Sequence, residues 1–179
     1  MKSKPKPILK FFHVLSWIIF IGLCARTGAI LYSFFVSLFM NTEAAKNLYA
    51  GLNLSSLFTY DRGQYTAVVL LIAFVSALKA YVFYLVIRIF MKINFVHPFS
   101  ETISALFSRI GYIALFIGIL SIIGMSYCNR LGQKGVDFPD LNHFIGAGIE
   151  HLLFAGVIVF ISQVFKRGIE IQSENELTV

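Results

Sequence analysis

Four ionisable side chains lie inside long apolar stretches of this 179-residue chain: Arg26, Lys79, Glu150 and His151. A charged group at the centre of a bilayer costs about 2.5–3.5 kcal/mol by insertion scales, so such groups usually face the interior of a helix bundle and a partner. A cluster of this kind either binds an ion, a proton or a small ligand, or serves as a polar clasp between helices. The sequence leaves both interpretations open.

Arg26 and Glu150 are expected to form an ion pair. A helical rise of about 1.5 Å per residue puts Arg26 roughly 24 Å beyond Lys10, and Glu150 roughly 9 Å beyond Phe144. Both charges then lie in the half of the membrane away from the N-terminus, with small residues beside them that allow close helix packing. Lys79 is expected near mid-membrane, where it snorkels, loses its proton or reaches Glu150.

No catalytic or metal-binding motif accompanies these residues. A metal site from His143, Glu150 and His151 is unfavourable, because the two histidines lie about 80° apart around a helix. The sequence has no Gly-rich phosphate loop, nucleophile elbow or HExxH motif. Cys24 and Cys128 show no ligand spacing. We therefore expect no enzymatic activity, no catalytic residue, no metal and no cofactor.

The composition requires these side chains to be held by membrane helices. Hydrophobic residues make up 58% of the chain and charged residues 13%, against about 45–50% and about 25% in soluble domains. The excess apolar surface has to face lipid, and four spans are predicted at about 11–40, 66–91, 110–127 and 144–165. The expected fold is all-α: an integral membrane four-helix transmembrane bundle, formed by one domain over residues 1–179. This excludes a conventional soluble enzyme.

The basic residues indicate an orientation rather than nucleic-acid binding. The formal charge is +6, but no continuous basic patch is present, so no direct nucleic-acid contact is expected. Nine Lys and Arg residues fall in the N-tail, the second connection and the C-tail, against four in the other two loops. The positive-inside rule then puts both termini in the cytoplasm of a bacterial cell, with the chain in the inner membrane.

The connections carry local signals. Asn41 is expected to cap a short helix that ends near Gly51, and residues 52–58 are expected on the membrane surface. Ser100 is expected to cap the following helix, with Glu101 in its first turn. Residues 166–179 form an acidic cytoplasmic tail that carries Glu170, Glu174 and Glu176.

Two stretches carry a family resemblance. One is NFVHPFS at 94–100, followed by FSRIGY at 107–112; the other is the ending ISQVFKRGIEIQSENELTV at 161–179. With four spans and this length, the chain resembles the bacterial membrane-protein family called domain of unknown function 2975. The family pattern favours an acidic residue at the position of Gln163 and Asp at the position of Glu176. The resemblance implies a four-helix inner-membrane protein, often encoded beside a small Cro/CI-type helix-turn-helix regulator, with no established activity.

These observations predict a membrane-embedded sensor or anchor that acts on such a regulator. Arg26, Lys79, Glu150 and His151 would form the polar switch. His97, Pro98 and Phe99 would contact the partner together with the three glutamates of the tail. Two alternatives remain open: a small transporter or channel subunit that uses the same cluster as a homo-oligomer, and a structural membrane protein.

Overall fold

The computed structural model describes residues 7–93 and 99–177, with side chains up to residue 174. This part of the chain is helical and contains no strand. The helices are α1 (Pro7–Phe39), α2 (Ser55–Tyr60), α3 (Arg62–Lys92), α4 (Glu101–Gly132) and α5 (Gly148–Leu177), with short 3₁₀ turns at Thr42–Lys46 and Leu141–His143. Four segments are long and apolar enough to cross a membrane, which confirms the predicted all-α, four-span architecture.

Local caps explain where several helices begin. The Asn41 side chain accepts a hydrogen bond from the Glu43 N–H at 2.9 Å, as expected for a short helix there. Ser100 caps α4 by accepting from the Ile103 N–H, so this helix starts at Glu101, nine residues before the predicted span at 110–127. Each cap satisfies N–H groups that have no partner within the helix.

The long helices pack in sequence: α1 on α3, α3 on α4, and α4 on α5. Glycines let α4 and α5 approach closely. A Cβ atom on Gly118 would lie 3.1 Å from the Gly148 carbonyl oxygen, and one on Gly111 would lie 3.3 Å from the Val159 backbone nitrogen. Close backbone contact at small residues is a common way to associate helices in lipid. α1 and α5 are the peripheral helices: among the described residues, α1 buries Ser16, Ile30 and Ser37, and α5 buries Ala155 and Ser162.

The loop end, where α1 ends and α3 begins, has its own hydrophobic core. Leu52, Leu54 and Leu57 are completely buried against residues such as Tyr65 and Val68 of α3. The prediction that residues 52–58 lie on the membrane surface is therefore wrong. Apolar periodicity cannot distinguish a helix resting on lipid from one folded onto a protein core.

The connection between α4 and α5 folds back along α4. α5 starts with Gly148 opposite Gly118, which lies near the middle of the 32-residue α4. Residues 133–147 therefore descend beside the last turns of α4, with Leu141 and Ile145 buried. The predicted span at 144–165 is shifted: its first residues are not helical, and the helix continues to Leu177.

Candidate functional site

The candidate site is built around an interruption in the helical backbone. Residues 144–147, called the break here, separate the 3₁₀ turn from α5. Gly146 has φ +88°, a left-handed conformation that favours glycine. The break leaves the backbone oxygens of His143, Phe144 and Ile145, called the carbonyl row here, without the partners that a continuous helix would provide. Carbonyl groups in an apolar surrounding need other donors.

Arg26 supplies donors to the first two oxygens. Its Nη2 donates to the His143 and Phe144 carbonyls, both at 3.1 Å. The guanidinium also lies over the Phe144 ring, 5.1 Å from its centroid. Next to it, Thr27 Oγ1 donates to Ser76 Oγ at 2.9 Å and ties α1 to α3. These contacts hold α1, α3 and the break together at one level of the bundle.

Lys79 supplies a donor to the third oxygen. Its Nζ lies 2.9 Å from the Ile145 carbonyl, which also accepts from Ser121 Oγ at 3.2 Å. Side chains from α1, α3 and α4 therefore bind the carbonyl row from three directions. Two cations so placed resemble basic residues at a helix C-terminus, where exposed carbonyls carry partial negative charge.

Arg26 and Glu150 do not form the expected ion pair, so this prediction is wrong. Among the described residues, salt bridges join Lys46 with Glu43 and Arg167 with Glu170, and His143 Nε2 lies 3.7 Å from an Asp140 carboxylate oxygen. The prediction assumed that one helix carries position 143 and Glu150 on a common face. The break interrupts that helix, and its carbonyl oxygens take the guanidinium instead.

Glu150 and His151 line a cavity with Lys79. The cavity has a volume of about 590 Å³, and all four long helices contribute to its wall. Eight of the eleven lining residues are apolar; they are Ile19, Leu23, Val82, Phe83, Val86, Ala114, Ile117 and Phe154. The structure thus brings Lys79, Glu150 and His151 to one space, whereas Arg26 lies on the carbonyl row.

Chain direction sets the polarity of this cavity. Lys79 precedes Val82 and Val86 on α3, and Glu150 precedes Phe154 on α5; both helices run from the loop end toward the end that carries the termini. The charged side chains therefore lie at the end nearer the break, and the opposite end is apolar. Such a space, with few polar groups at one side, is typical of small-molecule sites.

The residues that were expected to contact a partner lie in three kinds of place: outside the described residues, packed against α5, and exposed on α5. His97 and Pro98 lie outside the described residues, and so does the Glu176 side chain. The Phe99 ring packs against Phe165 of α5, with ring centroids 5.3 Å apart. Glu170 and Glu174 are exposed on α5, and Glu170 Oε2 accepts from Arg167 Nη1 at 2.7 Å.

Sequence reasoning missed the carbonyl row, which is made of backbone atoms and has no side-chain signature. One signal was available: Gly146 and Gly148 stand two residues apart in an apolar stretch. Glycine inside a hydrophobic segment marks a helix interruption, and interruptions in membrane helices often accompany binding sites.

Among the described residues, no group of three or more His, Cys, Asp or Glu side chains could hold a metal ion.

The comparison with protein families identifies the chain. Residues 37–179 match a protein family of unknown function (DUF2975). This range contains the break, Lys79, Glu150, His151 and all of α5, but not Arg26. No curated protein and no solved structure matches. The chain belongs to the DUF2975 family, as its two motif stretches predict.

Proposed function

We propose that this DUF2975 protein is a membrane-embedded sensor that controls a small cytoplasmic helix-turn-helix regulator. In this proposal the chain crosses a bacterial inner membrane four times, with both termini in the cytoplasm. A signal is bound beside the break, and the response is delivered by the end of α5. The excess of Lys and Arg on the side of the termini supports the orientation.

The observation that carries the proposal is the continuity of α5. This 30-residue helix begins at the break, lines the cavity through Glu150, His151 and Phe154, and continues to Leu177 without interruption. A rigid helix transmits a shift at one end to the other, provided that the shift has two stable positions. In this proposal, the two positions arise when the contacts of the carbonyl row with Arg26 and Lys79 rearrange.

The end of α5 has the chemistry for a basic partner. Gly168 packs against Phe99, immediately before the first turn of α4. The nine residues after Gly168 extend the helix by roughly 14 Å. Exposed Glu170 and Glu174 alternate there with exposed Ile171. Acidic side chains beside apolar ones complement a basic, partly apolar surface, and charge complementarity steers association.

The test is purification of the intact tagged chain from its native host in mild detergent. Two matched forms accompany it: a chain lacking residues 168–179, and a full-length chain with Glu170, Glu174 and Glu176 replaced by Gln. We expect a helix-turn-helix protein with the intact chain, at least tenfold less with the Gln form, and none with the truncated chain. Equal recovery with all three would refute a role for the tail.

A second candidate is a small transporter, and the break is the observation that favours it. Discontinuous membrane helices commonly form the substrate sites of transporters. In that case Lys79 and Glu150 would contact a substrate in transit. The cavity lining toward the termini is apolar, with Ile19, Val86 and Ala114, so a polar pathway would require a second conformation or subunit. Uptake by liposomes that contain the purified protein would support this candidate over the sensor.

A further inference from the structure

The cavity places two charges of opposite sign at one end of an apolar space. Lys79 on α3 and Glu150 on α5 both line it, yet they lie too far apart to form one of the ion pairs found among the described residues. Each charge therefore faces the cavity without a partner of opposite charge among the described residues. An unpaired charge in an apolar surrounding is costly, and a ligand of complementary charge removes that cost.

Both groups retain hydrogen-bonding capacity toward a ligand. An ammonium group has three donors, and among the described residues Lys79 Nζ donates to the Ile145 carbonyl alone. Within the described part of the chain, the Glu150 carboxylate has no hydrogen bond. Beside them, His151 Nδ1 donates to the Ala147 carbonyl oxygen at 3.0 Å, which leaves Nε2 of that tautomer as a hydrogen-bond acceptor.

The two charges select against simple ions. A lone anion that approached Lys79 would be repelled by Glu150, and a lone cation that approached Glu150 would be repelled by Lys79. A neutral apolar molecule would leave both charges unpaired. A ligand with an anionic and a cationic group at one end, and an apolar part at the other, satisfies both charges and fills the apolar space.

We propose, on the basis of the proposed function, that the signal is a zwitterionic amphiphile. Its anionic oxygens bind Lys79, and its ammonium group binds Glu150, assisted by His151 Nε2 as a hydrogen-bond acceptor. Its apolar part lies along Val82, Phe83 and Phe154. The volume of about 590 Å³ falls within the roughly 300–1,000 Å³ of small-molecule sites.

Two sources share this chemistry. One is a free amino acid with an aromatic or branched apolar side chain, and the other is an aminophospholipid with its phosphate and primary ammonium. We test them with the intact protein by titration calorimetry. L-phenylalanine and L-leucine are titrated in detergent. For the lipid, the protein is placed in phosphatidylcholine nanodiscs with or without phosphatidylethanolamine, and the lipid retained after exchange is quantified.

Ligand analogues provide the matched controls. Phenylpropionate lacks the ammonium group of phenylalanine, and phenethylamine lacks its carboxylate. Phosphatidylglycerol, added to the phosphatidylcholine nanodiscs in place of phosphatidylethanolamine, has the phosphate but no ammonium group. For whichever source binds, we expect each incomplete analogue to bind at least tenfold more weakly. Binding that ignores either charge would overturn the proposal, as would no binding of the two amino acids and phosphatidylethanolamine.

Two variants assign the charges to their residues. Glu150→Gln is expected to weaken binding of the complete ligand at least tenfold while leaving phenylpropionate or phosphatidylglycerol unaffected. Lys79→Gln is expected to weaken binding of the complete ligand at least tenfold while leaving binding of phenethylamine unaffected. Because Lys79 also holds the break, its variant can fail to fold, and exposed Glu150 then carries the test with the analogues. Wild-type affinity in the Glu150→Gln protein would overturn the proposal.

The regulator assay separates this proposal from the function on which it rests. The same preparations are assayed for tail-dependent recovery of the helix-turn-helix protein without added ligand. Recovery without ligand binding would overturn the ligand assignment and leave the regulator role intact. Ligand binding without recovery would refute the regulator role, and the cavity would then be the site of another activity.

Discussion

Arg26 contributes to this fold as a substitute for missing backbone donors. Its guanidinium satisfies the His143 and Phe144 carbonyls from one nitrogen, while its Nε is buried without a partner among the described residues. The pairing with Glu150 that residue types suggested is replaced by contacts with backbone oxygens. Sequence could identify which side chains are unusual, because charge in an apolar run is visible there. It could not identify their partners, because carbonyl groups are present at every residue.

Replacing Arg26 with Met should destabilise the protein by about 2 kcal/mol or more, because two carbonyl oxygens lose their donors at about 1–3 kcal/mol each. Glu150→Gln should change the free energy of unfolding by less than about 0.5 kcal/mol, since its carboxylate has no hydrogen bond or ion pair with the described residues. Denaturant unfolding in mixed micelles measures both. Arg130→Met, an exposed position near the end of α4, is the control for loss of a cation. Equal destabilisation by Arg26→Met and Glu150→Gln would contradict this assignment and would support an Arg26–Glu150 ion pair.

At the scale of elements, helix type and number follow from the sequence, whereas the position of a helix start depends on contacts. The caps at Asn41 and Ser100 bind N–H groups two and three residues further along the chain, so the local sequence predicts them. The start of α5 is not local: Gly148 begins the helix where it packs on Gly118, a residue 30 positions earlier. In the hydrophobic run over 144–165, Gly146 and Gly148 mark an interruption, but nothing in the sequence shows that the first residues of the run pack as irregular backbone beside α4.

The seam between α4 and α5 gives a prediction about glycine. Gly118→Ala should destabilise the protein by about 1–3 kcal/mol, as overpacking does, because the new Cβ would meet the Gly148 carbonyl oxygen at 3.1 Å and Leu152 at 2.7 Å. Gly156→Ala is the matched control, since nothing lies within 4 Å of its Cβ. That change should be neutral or stabilising by about 0.4–1 kcal/mol. Thermal unfolding followed by circular dichroism would contradict the seam if both variants behaved alike.

The break gives a second prediction, with a control that separates backbone strain from damage to the site. Gly146 and Gly135 have nearly the same φ, +88° and +89°. A Cβ on Gly135 meets open space, whereas a Cβ on Gly146 would lie 2.9 Å from both Lys79 Nζ and His151 Cε1. Both Ala variants should lose roughly 1–2 kcal/mol of stability through strain. Only Gly146→Ala should also reduce ligand binding by tenfold or more. Equal ligand affinity in the two variants would show that the break is not part of the ligand site.

At the scale of the whole molecule, the arrangement joins a polar layer inside the membrane to a charged end outside it. α1 and α3 contribute the cations, α4 provides the floor on which α5 packs, and α5 extends from the break past Phe99. Sequence could predict this division only in outline, from the charges in the spans and the glutamates of the tail. The connection between the two depends on α5 being one helix, and this is open to experiment.

Val164→Pro tests whether that continuity carries the signal. Val164 is 49% exposed, so the change removes little packing, but a proline inside a helix deletes a backbone hydrogen bond and bends or breaks the helix. The nearest cavity residue on α5, Phe154, lies about three turns earlier, so ligand affinity should stay within twofold of wild type. The effect of ligand on recovery of the regulator should be lost. Val164→Ala, with the helix intact, should retain both properties. If the proline variant still responded to ligand through the regulator, the signal would have to leave the bundle by a route other than α5.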